Sequence, residues 1–176
     1  TLLIFSLSCA LSGQVTNVDI PAGQPQPTKE KLFTGISYER LVYSEPRPMV
    51  VHLVTVDLKA AGLRPLVTPP DNPGGANPLN ARTTSQFLEE FGVQLAINGD
   101  AFRLGQVGSF VFGLEAGDPV APTGFAASNG VIYSQDTDDE HTLYIYPSNK
   151  ASIDHVIGRI HMAISGSKLL LQNGEI

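Results

Sequence analysis

Cysteine occurs once in the 176 residues, at Cys9, so no intramolecular disulfide can staple this chain. Basic residues are scarce as well: 11 Lys and Arg face 17 Asp and Glu, for a formal charge of −6. With no basic stripe to displace counterions from phosphates, nucleic acid is not an expected partner. A phosphorylated small substrate stays open, because one or two placed Arg or Lys side chains suffice to hold it. Long hydrophobic runs are missing too. The apolar stretch Leu2 to Leu11 has about ten residues, short of the roughly 20 that a spanning helix needs, so no membrane span is expected. The familiar motifs of metal, nucleotide and hydrolase sites are also absent. The histidines His52, His141, His155 and His161 show neither His-x-His nor His-Glu-x-x-His spacing. Gly166-Ser167-Lys168 lacks the upstream glycine of a P-loop, and no Gly-x-Ser-x-Gly occurs. No metal and no cofactor is therefore expected. His52, inside an apolar run, is expected to be a satisfied core histidine.

What is present fits one globular domain, with 42% hydrophobic residues. Residues 1–12 resemble the remnant of an export signal, with Ala10-Leu11-Ser12 as a small-x-small cleavage site before Gly13. The expected location is thus secreted, periplasmic or cell-envelope. Lipidation at Cys9 is the weaker alternative, since Ser6 stands where such signals carry Leu. The initiator Met and a positive region are missing, so the start is expected to be clipped. Residues 13–34 are polar, with Pro21, Pro25 and Pro27, and are expected to form a linker or extended arm. The folded part is expected over 35–176.

Strands are expected at Ile36 to Tyr43, at Leu63 to Thr68 and at Met49 to Leu58, the last an apolar run suited to a central strand covered on both faces. Thr83 and Gln86 have the spacing of a capping box, Phe87, Leu88 and Phe91 supply an apolar face, and Gly92 supplies a stop, which predicts one helix. Further strands are expected at Val93 to Ile97, Val107 to Leu114 and Gly130 to Ser134. The last is expected to pair with Thr142 to Tyr146 across the solvated acidic turn Asp136 to Glu140, whose spacing is not that of an EF-hand. Ala151 to Ile164 is ambiguous, and Lys168 to Leu171 reads as a last strand before the turn Gln172-Asn173-Gly174. The expected class is α+β, a strand-rich mixed sheet with few helices, with the look of a truncated domain because it stops at a turn.

The stretch Ala96-Ile97-Asn98-Gly99-Asp100-Ala101-Phe102 is a candidate for chemistry, although taken alone it reads first as an ordinary hairpin turn with polar residues. Asn-Gly favours the positive φ of tight turns, and the segment sets an amide, a carboxylate and an aromatic ring together at an expected strand end. Arg82 and Arg103 flank the helix and this turn, and are candidates to converge on an anion bound there. Asp57, at the end of the Met49 to Leu58 strand, is a candidate active-site carboxylate, with a capping or turn role the favoured reading.

In order along the chain, Gly35-Ile36-Ser37-Tyr38, Val51 to Leu58, Arg82-Thr83-Thr84-Ser85, Ala96-Ile97-Asn98-Gly99 with Phe102, Pro122-Thr123-Gly124, Ser128-Asn129-Gly130 and Leu169 to Gly174 resemble the phosphodiester glycosidase family, the domain type of the lysosomal uncovering enzyme. Two departures accompany the resemblance. The family usually reads Asn-Gly-Gly-Phe-Phe at the turn, where this chain has Asp100 and Ala101. Its C-terminal Asp-Gly-Arg and Asp-Gly-Gly-Gly-Ser segments do not occur here, so the resemblance covers the N-terminal part of such a domain. It implies hydrolysis of the bond between a sugar anomeric carbon and a phosphodiester oxygen, as in N-acetylglucosamine-1-phosphodiester alpha-N-acetylglucosaminidase. On it, Asn98 orients a sugar or phosphate oxygen, and Gly99 admits close backbone approach. Phe102 forms an apolar wall, and Ser128 and Asn129 contact substrate. Asp100 is this reading's own candidate for the carboxylate such chemistry needs, and Arg82 and Arg103 are its phosphate donors. The alternative is a non-catalytic glycan-binding or envelope-associated module on the same fold.

Overall fold

The structure, a computed structural model, describes residues 2–5, 28–104, 115–135 and 141–171. Among these the protein is mostly β, with three antiparallel sheets and one helix. It divides into two compact units, Thr1–Leu63 and Arg64–Ile176.

The first unit is a four-stranded sheet of β1 (Leu2–Phe5), β2 (Thr28–Phe33), β3 (Ile36–Tyr43) and β4 (Met49–Val56), in the order β1-β4-β3-β2. The polar arm thus ends in a strand rather than running unpaired to residue 34. Thr34 and Gly35 close the β2–β3 hairpin, with Phe33 opposite Ile36. Gly35 sits at φ +78°, a Cβ there would lie 2.1 Å from the Ala60 Cβ, and its carbonyl accepts from the Asp57 N–H at 2.7 Å. Asp57 does serve the turn, as its Oδ1 accepts from the Lys59 N–H at 3.0 Å. β4 is central in its sheet but is not covered on both faces: Val56 is buried while Val50 and His52 are exposed. His52 is therefore no core histidine. Its ring stacks on Tyr38, and its Nδ1 lies 2.7 Å from the Tyr38 hydroxyl.

The second unit begins irregularly. Leu63 to Thr68 forms no strand, and the carbonyls of Val67 and Thr68 accept from side chains instead, Ser128 Oγ at 2.6 Å and Tyr133 Oη at 2.8 Å. Burial pushes the Tyr133 hydroxyl up to about 12. β5 (Leu79–Asn80), α1 (Thr84–Phe91), β6 (Phe102–Leu104) and β7 (Pro119–Pro122) follow, with a small sheet ordered β5-β7-β6. The helix is the one foreseen. Thr83 and Gln86 form both hydrogen bonds of the capping box, and Gly92 ends it in the left-handed region at φ 60°.

β8 (Ala126–Ser128), β9 (Val131–Ser134), β10 (His141–Ile145), β11 (Ala151–Ile153) and β12 (Met162–Gly166) make a five-stranded sheet ordered β11-β10-β12-β8-β9. The ambiguous stretch thus supplies two strands. β9 does not pair with β10. It folds back on β8 through Asn129-Gly130, at φ 49° and 80°, the two positive values of a two-residue type I′ hairpin. Among the described residues every strand pairing is antiparallel, so the expected mixed sheet is not found there. Val93 to Ile97 and Lys168 to Leu171 have no ladder partner among the described residues and are irregular, with Ile97 and Leu170 half exposed. Val107 to Leu114, the acidic turn 136–140 and residues 172–174 lie outside the described residues. On one face of this sheet Tyr144, Ala163 and Ala127 stand side by side, and with Tyr146, Phe125 and Ile160 they form the core. The two fully buried alanines leave room for the tyrosines, and Phe125 meets Tyr144 edge-on at 5.7 Å.

Two stability outcomes follow from these turns. Thr83→Ala is expected to lower unfolding free energy by about 1 kcal/mol in urea titrations, with Thr83→Ser near wild type. Gly35→Ala, strained in φ and clashing with Ala60, is expected to cost well above that, by about 2–4 kcal/mol; an unchanged midpoint would contradict the hairpin geometry.

Candidate functional site

The capping box fixes where α1 starts, and so where the Thr84 hydroxyl points. The helix stops at Gly92 and the irregular return brings Asn98 back beside its first turn, where Thr84 Oγ1 donates to Asn98 Oδ1 at 2.7 Å. Neither Asn98 nor Gly99 has positive φ. The Asn-Gly pair that makes a tight turn is Asn129-Gly130; at Asn98-Gly99 the glycine serves close approach instead. A Cβ on Gly99 would lie 2.6 Å from Ile164 Cδ1 of β12.

Asp100 turns its Oδ1 onto the Ala101 N–H at 2.6 Å, and its Oδ2 is shielded from solvent. The Ala101 carbonyl accepts from both the N–H and the hydroxyl of Thr123, at 3.0 and 3.1 Å. Phe102 and Arg103 then pair with Pro122 and Ala121 as exposed residues of β6.

Alternation along β12 puts Ala163 and Ser165 on the core face, with Ser165 Oγ 3.0 Å from Thr142 Oγ1, and Met162 and Ile164 on the other. Ser128 and Asn129 meet that second face at Met162. The Asn129 N–H lies 3.4 Å from its sulfur and Ser128 Oγ 3.8 Å. Asn98-Gly99 and Ser128-Asn129 therefore flank one face of β12, with contact points roughly 7 Å apart along the strand. Ser128 is only 1% exposed and donates to Val67, so its role there is to hold the hairpin rather than to touch a ligand.

Arg82 is placed differently from expectation. Its Nε donates to Glu90, Nη1 to Asp71 and the Asn80 carbonyl, and Nη2 to Asp71 and Glu90. All five N–H groups of a guanidinium are thereby committed to protein acceptors, with none left for phosphate. Its charge also lies 5.6 Å from the Phe91 ring centre. Hydrogen bonds from Arg82 hold the Asp71 carboxyl below its usual value, and the same carboxylates hold Arg82 above its own. Beside this clamp lies an open groove of about 530 Å³, lined by Arg82, Gln86, Glu89, Glu90 and Gly117, away from Asn98 and Asp100.

One pair was missed by sequence reasoning. His141 Nδ1 lies 2.7 Å from Asp154 Oδ2, while Asp154 Oδ1 accepts from the Thr142 N–H at 2.8 Å. The His141 hydrogen bond, then that of Thr142, holds the Asp154 carboxyl below its usual range. No motif spacing announces a pair formed between a strand start and a turn 13 residues on. Among the described residues no group of three or more His, Cys, Asp or Glu is placed to hold a metal, and no helix is long and apolar enough to cross a membrane.

Compared with protein-family models, with curated proteins and with solved structures, the chain matches none.

The Asp71–Arg82 contact carries a pH signature. Because the folded Asp71 sits below its unfolded value near 3.8, its contribution is present above that pH and is lost as pH falls through the lower folded value. Between about pH 5 and pH 2, wild type is expected to lose more stability than Asp71→Asn in chemical denaturation; equal losses would refute the clamp.

Proposed function

We propose that the chain is an exported hydrolase of the phosphodiester glycosidase type, an α+β domain that cleaves the bond between a sugar anomeric carbon and a phosphodiester oxygen. One observation supports the reading above others: sequence pieces that carry the resemblance, though scattered, adjoin one another in space. Thr84 bonds Asn98, Thr123 bonds Ala101, Pro122 pairs with Phe102, and Gly99 and Asn129 both meet β12. In this reading the Asn98 amide orients a sugar or phosphate oxygen. Asp100 supplies the carboxylate beside the oxocarbenium-like centre, and exposed Phe102 walls the sugar. Arg103 on β6 is the phosphate donor. The reading needs neither metal nor cofactor.

The commitment of every Arg82 N–H favours a second reading, a glycan-binding module of the cell envelope that performs no chemistry. Incubation with UDP-N-acetylglucosamine or another sugar phosphodiester separates the two. Release of free sugar supports the hydrolase, whereas saturable binding without turnover replaces it with the module. Asn98→Ala loses the Thr84 hydrogen bond, at a stability cost of about 1 kcal/mol. In the folded variant, sugar release is expected to fall at least about tenfold. Full turnover in that variant would remove Asn98 from the site.

A further inference from the structure

The face of β12 that receives Gly99 also carries the His141–Asp154 pair. His141 begins β10 directly opposite Gly166, and Leu143 lies opposite Ile164. Thr142 points to the core face, where it meets Ser165, so His141 is on the face of Ile164. His141 is thus a diagonal neighbour of the residue that Gly99 rests on, a separation of roughly 7–8 Å. Leu143, opposite Ile164, lies on one side of this diagonal, and on the other side Gly166 leaves room, since among the described residues a Cβ there would meet nothing within 4 Å. Gly99, flanked in the chain by Asn98 and Asp100, and His141 therefore border one stretch of sheet.

The ring is oriented. Its Nδ1 faces Asp154, and the backbone N–H groups of Thr142 and Asp154 pair with Asp154 Oδ1 and the Thr142 carbonyl, at 2.8 and 2.9 Å. With the Nδ1 proton donated to Asp154, the lone pair of the neutral ring is at Nε2.

On the sugar-phosphodiester reading, which this assignment requires, we propose that His141 is the general base of the site, held by Asp154 as its positioning residue. A water oxygen forms the bond to the anomeric carbon while its proton passes to His141 Nε2. The bond from that carbon to the phosphodiester oxygen breaks, and its electron pair leaves on the phosphomonoester. Phosphate needs little acid assistance as a leaving group, so one base and an oriented substrate carry the step. Among the described residues the ionisable groups around His141 are Asp154 and His155 on the turn after β11. Of β10, β11 and β12 only Tyr144 is ionisable besides His141, and it points to the core face with Ala163; Lys168 follows β12, and Asp100 stands on the loop side.

The test measures free sugar released from UDP-N-acetylglucosamine across pH by wild type, His141→Gln and His155→Gln. Wild-type kcat/KM is expected to fall on the acid side as the ring takes a proton. His141→Gln is expected to lose about 10²–10⁴-fold in kcat with KM little changed and to lose that acid limb, while His155→Gln keeps it. Turnover with no acid limb in wild type, or with rate and profile kept in His141→Gln, overturns the base and leaves the hydrolase standing. No sugar release by wild type overturns both.

Discussion

At Gly99 a Cβ would come within 2.6 Å of Ile164 Cδ1, so a residue without a side chain is what lets the loop settle onto β12. The rest of the arrangement depends on that approach. It sets Asn98 within hydrogen-bond reach of Thr84, and it sets the height at which Asp100 and Ala101 leave the sheet toward Thr123. β12 can bear the loop on one face because its other face is packed. Ala163 has no exposed surface and sits between Tyr144 and Ala127, and Ser165 is tied to Thr142 and to the Phe125 carbonyl. Packed interiors transmit displacement, so a shift at Ala163 is felt at Ile164 and hence at the loop.

The helix is fixed from both ends by different forces. The capping box and the left-handed Gly92 set its limits, and the Arg82 clamp ties it through Glu90 to the loop at Asp71. Arg82 is 14% exposed and Asp71 25%, so water screens this network only partly. The clamp thus holds α1 at Glu90, in its last turn, while the Thr84–Asn98 bond holds its first turn. A charge that the sequence offered as a ligand donor is instead spent on positioning the element that carries Thr84.

Legibility in the sequence followed how local each signal is. The α1 boundaries were readable because Thr83, Gln86 and Gly92 act within one helical turn of each end. The strands β3 and β4 were readable from β-branched and apolar runs, whereas β2 was hidden in polar residues because its pairing rests on backbone bonds to β3. Val93 to Ile97 has strand composition yet has no strand partner among the described residues, since partners are a tertiary matter that propensity does not encode. Asn98-Gly99 and Asn129-Gly130 are identical dipeptides with different roles. Only the second has strands in register on both sides to demand positive φ, while the first is shaped by Ile164, 65 positions away. The His141–Asp154 pair was illegible for the same reason, as its two members meet only once β10 and β11 are paired.

Asp154 is strained. It holds φ 59°, a left-handed value that a non-glycine residue adopts at a cost of roughly 1 kcal/mol or more. Four groups over-determine that conformation: His141 and the Thr142 N–H bind its carboxylate, the Thr142 carbonyl binds its N–H, and the turn it starts is pinned where Tyr146 Oη meets the His155 carbonyl and the Ile157 N–H. A turn needed only for chain reversal would be served by glycine without that strain. An aspartate kept there trades backbone ease for a carboxylate aimed at one imidazole nitrogen. That trade is what a site needs when the other nitrogen must face substrate in a single tautomer.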